Sequence, residues 1–165
     1  NEFSDFARMP KPILKNNNLV SLINDNINLI NKLDKKILIN FKTHFDVVIL
    51  NSDNEQLSRA FFNVIKNSIE SIQEKRLIDL DLKGSIDITL NNSISEINIL
   101  IIDNGLGFGK LKENIKDVLN PYFTTKKKGT GLGLAIVNKT IHDHNGSIEF
   151  IPIEYGAKVM IKFIK

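Results

Sequence analysis

The sequence has no cysteine and few histidines. The absence of cysteine excludes a disulfide scaffold, an iron–sulfur cluster and any zinc site that needs thiolate ligands. The three histidines, His44, His142 and His144, leave few ligands for a transition metal. No apolar run approaches the roughly 20 residues of a membrane-spanning helix, and the N-terminus lacks the apolar region of a signal peptide. The sequence therefore predicts a soluble chain that makes no membrane contact.

The sequence also has no large excess of one charge sign, since it contains 22 basic and 19 acidic residues and its net charge is +3. This mild charge is not typical of a nucleic-acid-binding protein. With 165 residues, of which 42% are hydrophobic and 25% charged, the chain has the composition of one globular domain. Disorder, collagen and coiled coil are excluded.

The local pattern predicts both helices and strands. Helices are predicted from apolar spacing, capping residues and long runs without proline, over residues 19–33, 53–76 and 131–145. Strands are predicted over residues 37–41, 47–50, 84–90, 94–102, 147–153 and 157–164. We expect the first two strands to form a hairpin and the next two to pair antiparallel. Gly146 is expected to stop the last helix.

The longest predicted helix carries a polar stripe. Asn63, Asn67 and Glu70 fall within about 60° of one another around the helix axis, and the apolar face averages about 160° away. Two interpretations remain open. The stripe is either an ordinary solvated face or a row of oxygens that faces a phosphate or Mg²⁺, which prefers oxygen ligands.

Glycines interrupt the chain directly after the strand predicted over residues 94–102. Asp103 stands at the end of that strand, and Gly105, Gly107 and Gly109 follow at alternate positions. Alternating glycines allow the backbone to approach a ligand closely, and the carboxylate can accept a hydrogen bond from a base amino group. An ordinary tight turn remains the alternative.

A second glycine-rich stretch, residues 129–134, opens the last predicted helix, where backbone N–H groups can bind an anion. A long loop precedes it, and its lysines at 126–128 are either a solvated charge run or point charges for a polyphosphate. No strand precedes this stretch, its third glycine is missing, and no Gly-Lys-Ser/Thr occurs. A Rossmann fingerprint and a Walker phosphate loop are therefore excluded.

In this order, the motifs resemble those of the GHKL ATP-binding family, which includes histidine kinases, ninety-kilodalton heat-shock chaperones and mismatch-repair and topoisomerase ATPases. Residues 63–70 are similar to its N box, 103–107 to its first glycine box, 121–126 to its F box and 129–134 to its second glycine box. Residues 1–12 are similar to the segment after the dimerisation helices of NtrY-type nitrogen-regulation sensor kinases.

The resemblance implies the Bergerat ATP-binding fold of class α/β. In this two-layer sandwich, a mixed, mostly antiparallel sheet carries about three helices on one face. The resemblance also implies two parts, namely the end of a dimerisation helix and a linker over residues 1–15 and a catalytic ATP-binding domain over residues 16–165. Two positions depart from the usual family pattern, since Lys126 replaces a common arginine and Ala157 replaces a common threonine.

The resemblance also implies roles for single residues. Asn67 matches an Mg²⁺-ligating asparagine, Asn63 lies near the phosphates, and Asp103 recognises the adenine amino group. The F box and the second glycine box form a lid over ATP. The implied ATP-binding set is Asn63, Asn67, Glu70, Asp103, Gly105, Gly107, Phe123, Thr125, Lys126, Gly129, Thr130, Gly131, Leu132, Gly133 and Leu134.

The implied function is that of the catalytic domain of a two-component sensor histidine kinase. The domain would transfer the γ-phosphoryl group of Mg²⁺-ATP to a histidine on a separate dimerisation domain, and a response regulator would then receive it. We expect this chain to be a monomeric fragment that lacks the phosphoacceptor histidine and any catalytic side chain. Its place would be the cytoplasmic part of a membrane-bound sensor.

Two other functions remain open. The first is a hydrolytic GHKL ATPase of the chaperone or repair type. Such enzymes carry a glutamate general base where Asn63 stands, and an amide cannot accept the proton. The second is a non-catalytic nucleotide-sensing module, which would bind ATP and change the lid conformation without transferring a phosphoryl group.

Overall fold

The structure, a computed structural model, describes residues 9–108 and 133–165. Its helices are α1 (Leu19–Ile30), α2 (Asn54–Arg76) and α3 (Gly133–Asp143). Its strands are β1 (Lys15–Asn18), β2 (Leu38–Thr43), β3 (Ile49–Ser52), β4 (Ser85–Asn92), β5 (Glu96–Asp103), β6 (Gly146–Ile153) and β7 (Gly156–Ile164). Over these two ranges, no helix combines the length and the apolar character that crossing a bilayer requires.

Five strands form one mixed sheet in the order β2-β4-β5-β7-β6. The β2–β4 pair is parallel, and the other three pairs are antiparallel. A separate small sheet consists of β1 and β3, which pair antiparallel. Helix α2 packs against α1 and α3 and also contacts β5, while α3 contacts β6. The α/β sandwich expected from the family resemblance is therefore confirmed.

The core lies between the sheet and the apolar face of α2. Along β4, Ile86, Ile88 and Leu90 are buried, whereas the intervening Asp87 is exposed, as the two-residue period of a strand requires. The buried apolar residues of α2 are Leu57, Ala60, Phe61, Val64, Ile65, Ile69 and Ile72. This packing fixes the rotation of α2 about its axis and leaves the polar stripe outside the core.

The predicted hairpin of residues 37–41 and 47–50 is wrong. Strand β2 pairs with β4, and β3 pairs with β1. The sequence does not predict β1, because its three consecutive asparagines have low strand propensity. The Asn17 side-chain amide stabilises this pairing by donating to the Ser52 carbonyl over 2.8 Å. The partners of β2 and β3 are distant in sequence, so the local alternation of apolar and polar residues does not show which strands pair.

The long helix and the antiparallel pair that follows it are confirmed. Asp53 is the N-cap of α2, and its side chain accepts a hydrogen bond from the Gln56 amide over 3.1 Å. Strands β4 and β5 pair antiparallel and are joined by residues 93–95. Helix α1 ends at Ile30, three residues earlier than predicted, and Leu33 is exposed.

Helix α3 is not ended by Gly146, the residue predicted to stop it. Helix α3 ends at Asp143, and Asn145 takes the left-handed backbone conformation, with a φ of 57°. Gly146 already belongs to β6. A Cβ at this glycine would lie 2.7 Å from the Lys162 carbonyl oxygen. Gly146 is therefore required for the close approach of two strands and not for a helix stop.

Candidate functional site

A buried carboxyl group lies where β5 ends. Asp103 is only 4% exposed, and β5 places it between β4 and β7, opposite Ile86 and Ala157. Burial raises the pKa of Asp103 above its ordinary value. Hydrogen bonds from the Gly105 amide, the Ser68 hydroxyl and the Ala157 amide oppose this rise only in part. A buried acid with an elevated pKa is a feature of functional sites.

The turn that follows Asp103 lies directly against α2. A Cβ at Gly105 would meet Ser71 Oγ at 2.5 Å and the Ile72 backbone nitrogen at 2.8 Å. Because two of the nearest three atoms belong to the α2 backbone, only glycine allows this approach. Gly105 is therefore a point of close backbone approach, and the partner that it approaches here is the helix. Its predicted role toward a ligand stays a prediction.

Two glycines with positive φ face each other beside Asp103. Gly107 has a φ of 71° and Gly156 a φ of 120°. A Cβ at Gly107 would lie 2.5 Å from the Gly156 carbonyl oxygen, and a Cβ at Gly156 would overlap the Asp103 carbonyl oxygen. Substitution at either glycine would therefore displace the carboxyl group or the turn behind it.

The polar stripe of α2 adjoins, along the helix, the residue that hydrogen-bonds this carboxyl group. Asn63, Asn67 and Glu70 are half-buried, and Lys66 lies 4.0 Å from a Glu70 oxygen. Ser68, which hydrogen-bonds Asp103, directly follows Asn67. The oxygens of Asn63 and Asn67 suit a hard cation such as Mg²⁺. In the part of the chain that the structure describes, no cluster of three or more His, Cys, Asp or Glu side chains forms a metal site.

The remaining predicted site residues divide into two groups. Gly133 and Leu134 form the start of α3 and are half-buried, and Leu134 packs against the core. The others lie outside the described residues and stay predictions, namely Phe123, Thr125, Lys126, Gly129, Thr130, Gly131 and Leu132.

Three α2 residues that are absent from the implied ATP-binding set hold the turn. Ser68 donates to the Asp103 carboxylate, Ser71 Oγ accepts from the Leu106 amide over 3.0 Å, and Lys75 Nζ donates to the Asn104 carbonyl over 3.2 Å. Their spacing of three and four residues places them within about 60° of one another on α2. This spacing could be read from the sequence, but the segment that they face could not.

A buried histidine has a structural role. His144 is 5% exposed, and its Nε2 accepts a hydrogen bond from the Asp53 amide over 3.0 Å. Its Nδ1 lies 2.7 Å from the Thr140 carbonyl oxygen and donates to it, since the other ring nitrogen is an acceptor. His144 therefore connects the end of α3 to the start of α2.

Residues 52–164 match the model of one protein family, described as histidine kinase-, DNA gyrase B- and HSP90-like ATPase. Among curated proteins, a putative NtrY-like sensor histidine kinase of Rickettsia bellii is 33% identical over 96% of this chain and 25% of its own length. The nitrogen regulation protein NtrY of Azorhizobium caulinodans is 36% identical over 98% of this chain and 20% of its own length. The chain thus spans a quarter or less of these relatives.

Solved structures give the same result for the fold. The nucleotide-free catalytic domain of the histidine kinase ThkA has a TM-score of 0.77 and 26% identity, covering 93% of this chain and 96% of that domain. ThkA in complex with the response regulator TrrA has a TM-score of 0.78 and 24% identity, covering 99% of this chain and 45% of the ThkA chain. The family resemblance found in the sequence motifs is confirmed.

Proposed function

Since the chain belongs to the histidine kinase-, DNA gyrase B- and HSP90-like ATPase family, we propose that it binds Mg²⁺-ATP and supplies the γ-phosphoryl group for phosphorylation of a histidine. The observation that carries this proposal is the buried Asp103 carboxyl group, held by a glycine turn against the helix that bears the asparagine stripe. The acceptor histidine would belong to a helical dimerisation domain of the same parent protein. Residues 1–15 would lead from that domain to the catalytic domain.

Adenine recognition would rest on Asp103. Its ionised carboxylate would accept a hydrogen bond from the exocyclic amino group of the base, and the turn that contains Gly105 and Gly107 would lie beside the ring. Hydrogen bonds within the protein compensate this buried carboxylate only in part, which favours a further hydrogen-bond donor from a ligand. A ligand that supplies it would relieve part of the cost of burial, which is a source of affinity and of selectivity for adenine over bases without the amino group.

The polar stripe would bind the phosphate end of the nucleotide. Asn67 would contribute an amide oxygen to Mg²⁺, while Asn63 and Glu70 would lie near the metal's waters and the phosphates. A bound Mg²⁺ would neutralise charge on the phosphates. The lid formed by the F box and the second glycine box would add Lys126 and the backbone N–H groups at the start of α3.

The transfer itself would depend on positioning. The bond between the γ-phosphorus and the oxygen bridging to the β-phosphate would break as a bond to an imidazole nitrogen forms, leaving ADP. This chain would orient the nucleotide, and the partner domain would supply the nucleophile. A response-regulator aspartate would then accept the phosphoryl group. The parent protein would be a sensor kinase whose catalytic domain lies in the cytoplasm.

Phosphotransfer in trans tests this proposal. The chain is incubated with Mg²⁺-ATP labelled on the γ-phosphorus, with and without the helical histidine domain of its parent. We expect an acid-labile, base-stable label on the helical domain and none on this chain. Rapid phosphate release with no labelled histidine would contradict the proposal in favour of a hydrolytic ATPase. Nucleotide binding without either reaction would favour a sensing module.

The metal assignment is tested by Asn67→Ala, with Asn91→Ala on the exposed side of β4 as control. We expect Asn67→Ala to remove the Mg²⁺ dependence of ATP-analogue binding while adenosine binds as before, since adenosine carries no phosphate for the metal. An equal response to Mg²⁺ in Asn67→Ala and in the unaltered chain would exclude Asn67 as a ligand.

A further inference from the structure

The turn of residues 103–107 is anchored independently on two sides. On the sheet side, Asn104 accepts from the Ser85 amide over 2.9 Å and donates to the Lys83 carbonyl over 2.8 Å through its side chain. On the helix side, Ser71 and Lys75 bind the Leu106 amide and the Asn104 carbonyl. The Asn104 contacts fix where the turn begins, and the helix contacts hold it close to α2.

The helix-side contacts bear directly on the Asp103 carboxyl group. Asp103 Oδ1 accepts from the Gly105 amide over 2.9 Å, so the carboxylate moves with the turn. Gly105 is the residue that packs on the α2 backbone at Ser71 and Ile72. Any loosening between Ser71 and the turn would therefore be transmitted to the carboxylate through one short hydrogen bond.

We infer that Ser71 and Lys75 are positioning residues for base recognition, because they hold the turn of residues 103–107 against α2 and so set the orientation of the Asp103 carboxylate toward the base. The inference rests on the proposed function. It assigns these residues no contact with the nucleotide. The Ser71 hydroxyl acts through the Leu106 amide, and the Lys75 ammonium group acts through the Asn104 carbonyl.

Lys75 has a second effect on the same group. Burial raises the pKa of Asp103, and the positive charge of Lys75 is among the influences that oppose this rise. The ammonium group thereby favours the ionised form of the carboxyl group, in which both oxygens are acceptors and neither is a donor. A neutral side chain of similar length would lose both the contact with the turn and this charge.

The test compares binding of ADP and of IDP, whose base carries a carbonyl oxygen in place of the adenine amino group. Calorimetric titrations use the whole chain and the variants Ser71→Ala and Lys75→Met. We expect each variant to bind ADP about fivefold more weakly, in line with the loss of one hydrogen bond. We expect IDP binding to change by less than about twofold, so the ratio of the two affinities falls.

Three further variants separate positioning from a general structural role. Lys75→Arg retains a cationic donor for the Asn104 carbonyl and should restore the wild-type ratio. Ser58→Ala removes another α2 hydroxyl, one that accepts from Asn26 over 2.9 Å, and Lys139→Met removes an exposed ion pair on α3. Both controls should leave the ratio unchanged.

Amide exchange in the ligand-free chain gives an independent measurement. Exchange at Leu106 should accelerate in Ser71→Ala and remain unchanged in Ser58→Ala. Only the first substitution removes one of the two acceptors of that amide, the Ser71 hydroxyl, and it leaves only the longer contact of 3.3 Å with the Ser71 carbonyl. A lower melting temperature with an unchanged ADP-to-IDP ratio would overturn the inference and leave the proposed function intact. A wild-type chain that binds neither nucleotide would overturn both.

Discussion

Asp34 and Asp103 both hydrogen-bond to the C-terminal half of α2, but only Asp34 has a direct cationic partner. Arg76 Nη1 donates to Asp34 over 2.9 Å, with both side chains largely buried. Burial raises the pKa of Asp34, but hydrogen bonds from Arg76, Gln73 and the Lys36 amide outweigh it and the pKa is lowered. At Asp103, burial prevails over neutral donors and the pKa is raised.

The difference indicates what each carboxylate contributes. The Asp34 carboxylate is compensated by groups of the protein itself, so it stabilises the contact between the segment that follows α1 and the C-terminal end of α2. The Asp103 carboxylate is incompletely compensated, and its ionised form lowers the stability of the folded chain. A group kept at such a cost is expected where a ligand completes its hydrogen bonds. We therefore propose that Asp34 serves stability and that Asp103 serves binding.

Removing Asp34 should have the largest effect on stability. In Asp34→Ala, the Arg76 guanidinium group, only 21% exposed, loses its carboxylate. We expect the free energy of unfolding to fall by about 2–3 kcal/mol, because a largely buried charge loses its partner. Urea unfolding measures this change.

The matched control for Asp34→Ala is Asp143→Ala, which breaks the more exposed Lys139–Asp143 pair of α3. It should cost less than about 0.5 kcal/mol. ADP affinity should stay within about twofold of wild type in both variants, since neither substitution changes a residue of the proposed ATP-binding site. A large loss of ADP affinity in Asp34→Ala with unchanged stability would contradict the assignment of Asp34 to stability.

Asp103→Asn should have the next largest effect, and on binding instead of stability. The amide preserves the shape but replaces one acceptor oxygen by a donor, which leaves the adenine amino group facing a donor. We expect at least about a tenfold loss of ADP affinity, or about 1.4 kcal/mol. The melting temperature should change little, because the substitution also removes a buried charge. Unchanged affinity in a calorimetric titration would exclude Asp103 from the site.

The sequence predicts the position of Asp103 in the candidate site better than it predicts the buried ion pair of Asp34. Asp103 could be found because a strand end and alternating glycines are local signals, and residues 53–76 could be assigned to a helix because they contain no glycine or proline. Asp34 could not be found, because its partners on α2 lie about forty residues away. The predicted hairpin of residues 37–41 and 47–50 is wrong for the same reason, because the partners of β2 and β3, which are β4 and β1, are distant in sequence.

The same limit applies within the site. The glycines at 105 and 107 indicate a close backbone approach, but the sequence does not say that the surface approached is α2. The roles of Ser71 and Lys75 depend on that contact, so they could not be predicted from their spacing alone. The lid, which consists of the F box over residues 121–126 and the second glycine box over residues 129–134, is predicted from the family motifs and stays a prediction.

The smallest expected effect is on the pH dependence of stability, where the two aspartates should act with opposite sign. The ordinary pKa of each carboxyl group is 3.8. Because the pKa of Asp34 is lowered by folding, its contribution to stability is present above pH 3.8 and is lost as the pH falls through its folded value. Because the pKa of Asp103 is raised, its contribution is present below pH 3.8 and is lost as the pH rises through its folded value.

Urea unfolding of wild type, Asp34→Asn and Asp103→Asn at several pH values on both sides of 3.8 measures these slopes. The stability of wild type minus that of Asp34→Asn should decrease as the pH is lowered below this value. The stability of wild type minus that of Asp103→Asn should decrease as the pH is raised above it. ADP at saturating concentration should flatten the second slope only, because the base donor compensates the ionised carboxylate in the bound state. Slopes of the same sign would mean that both aspartates are compensated alike, and Asp103 would then have no unsatisfied capacity for a ligand.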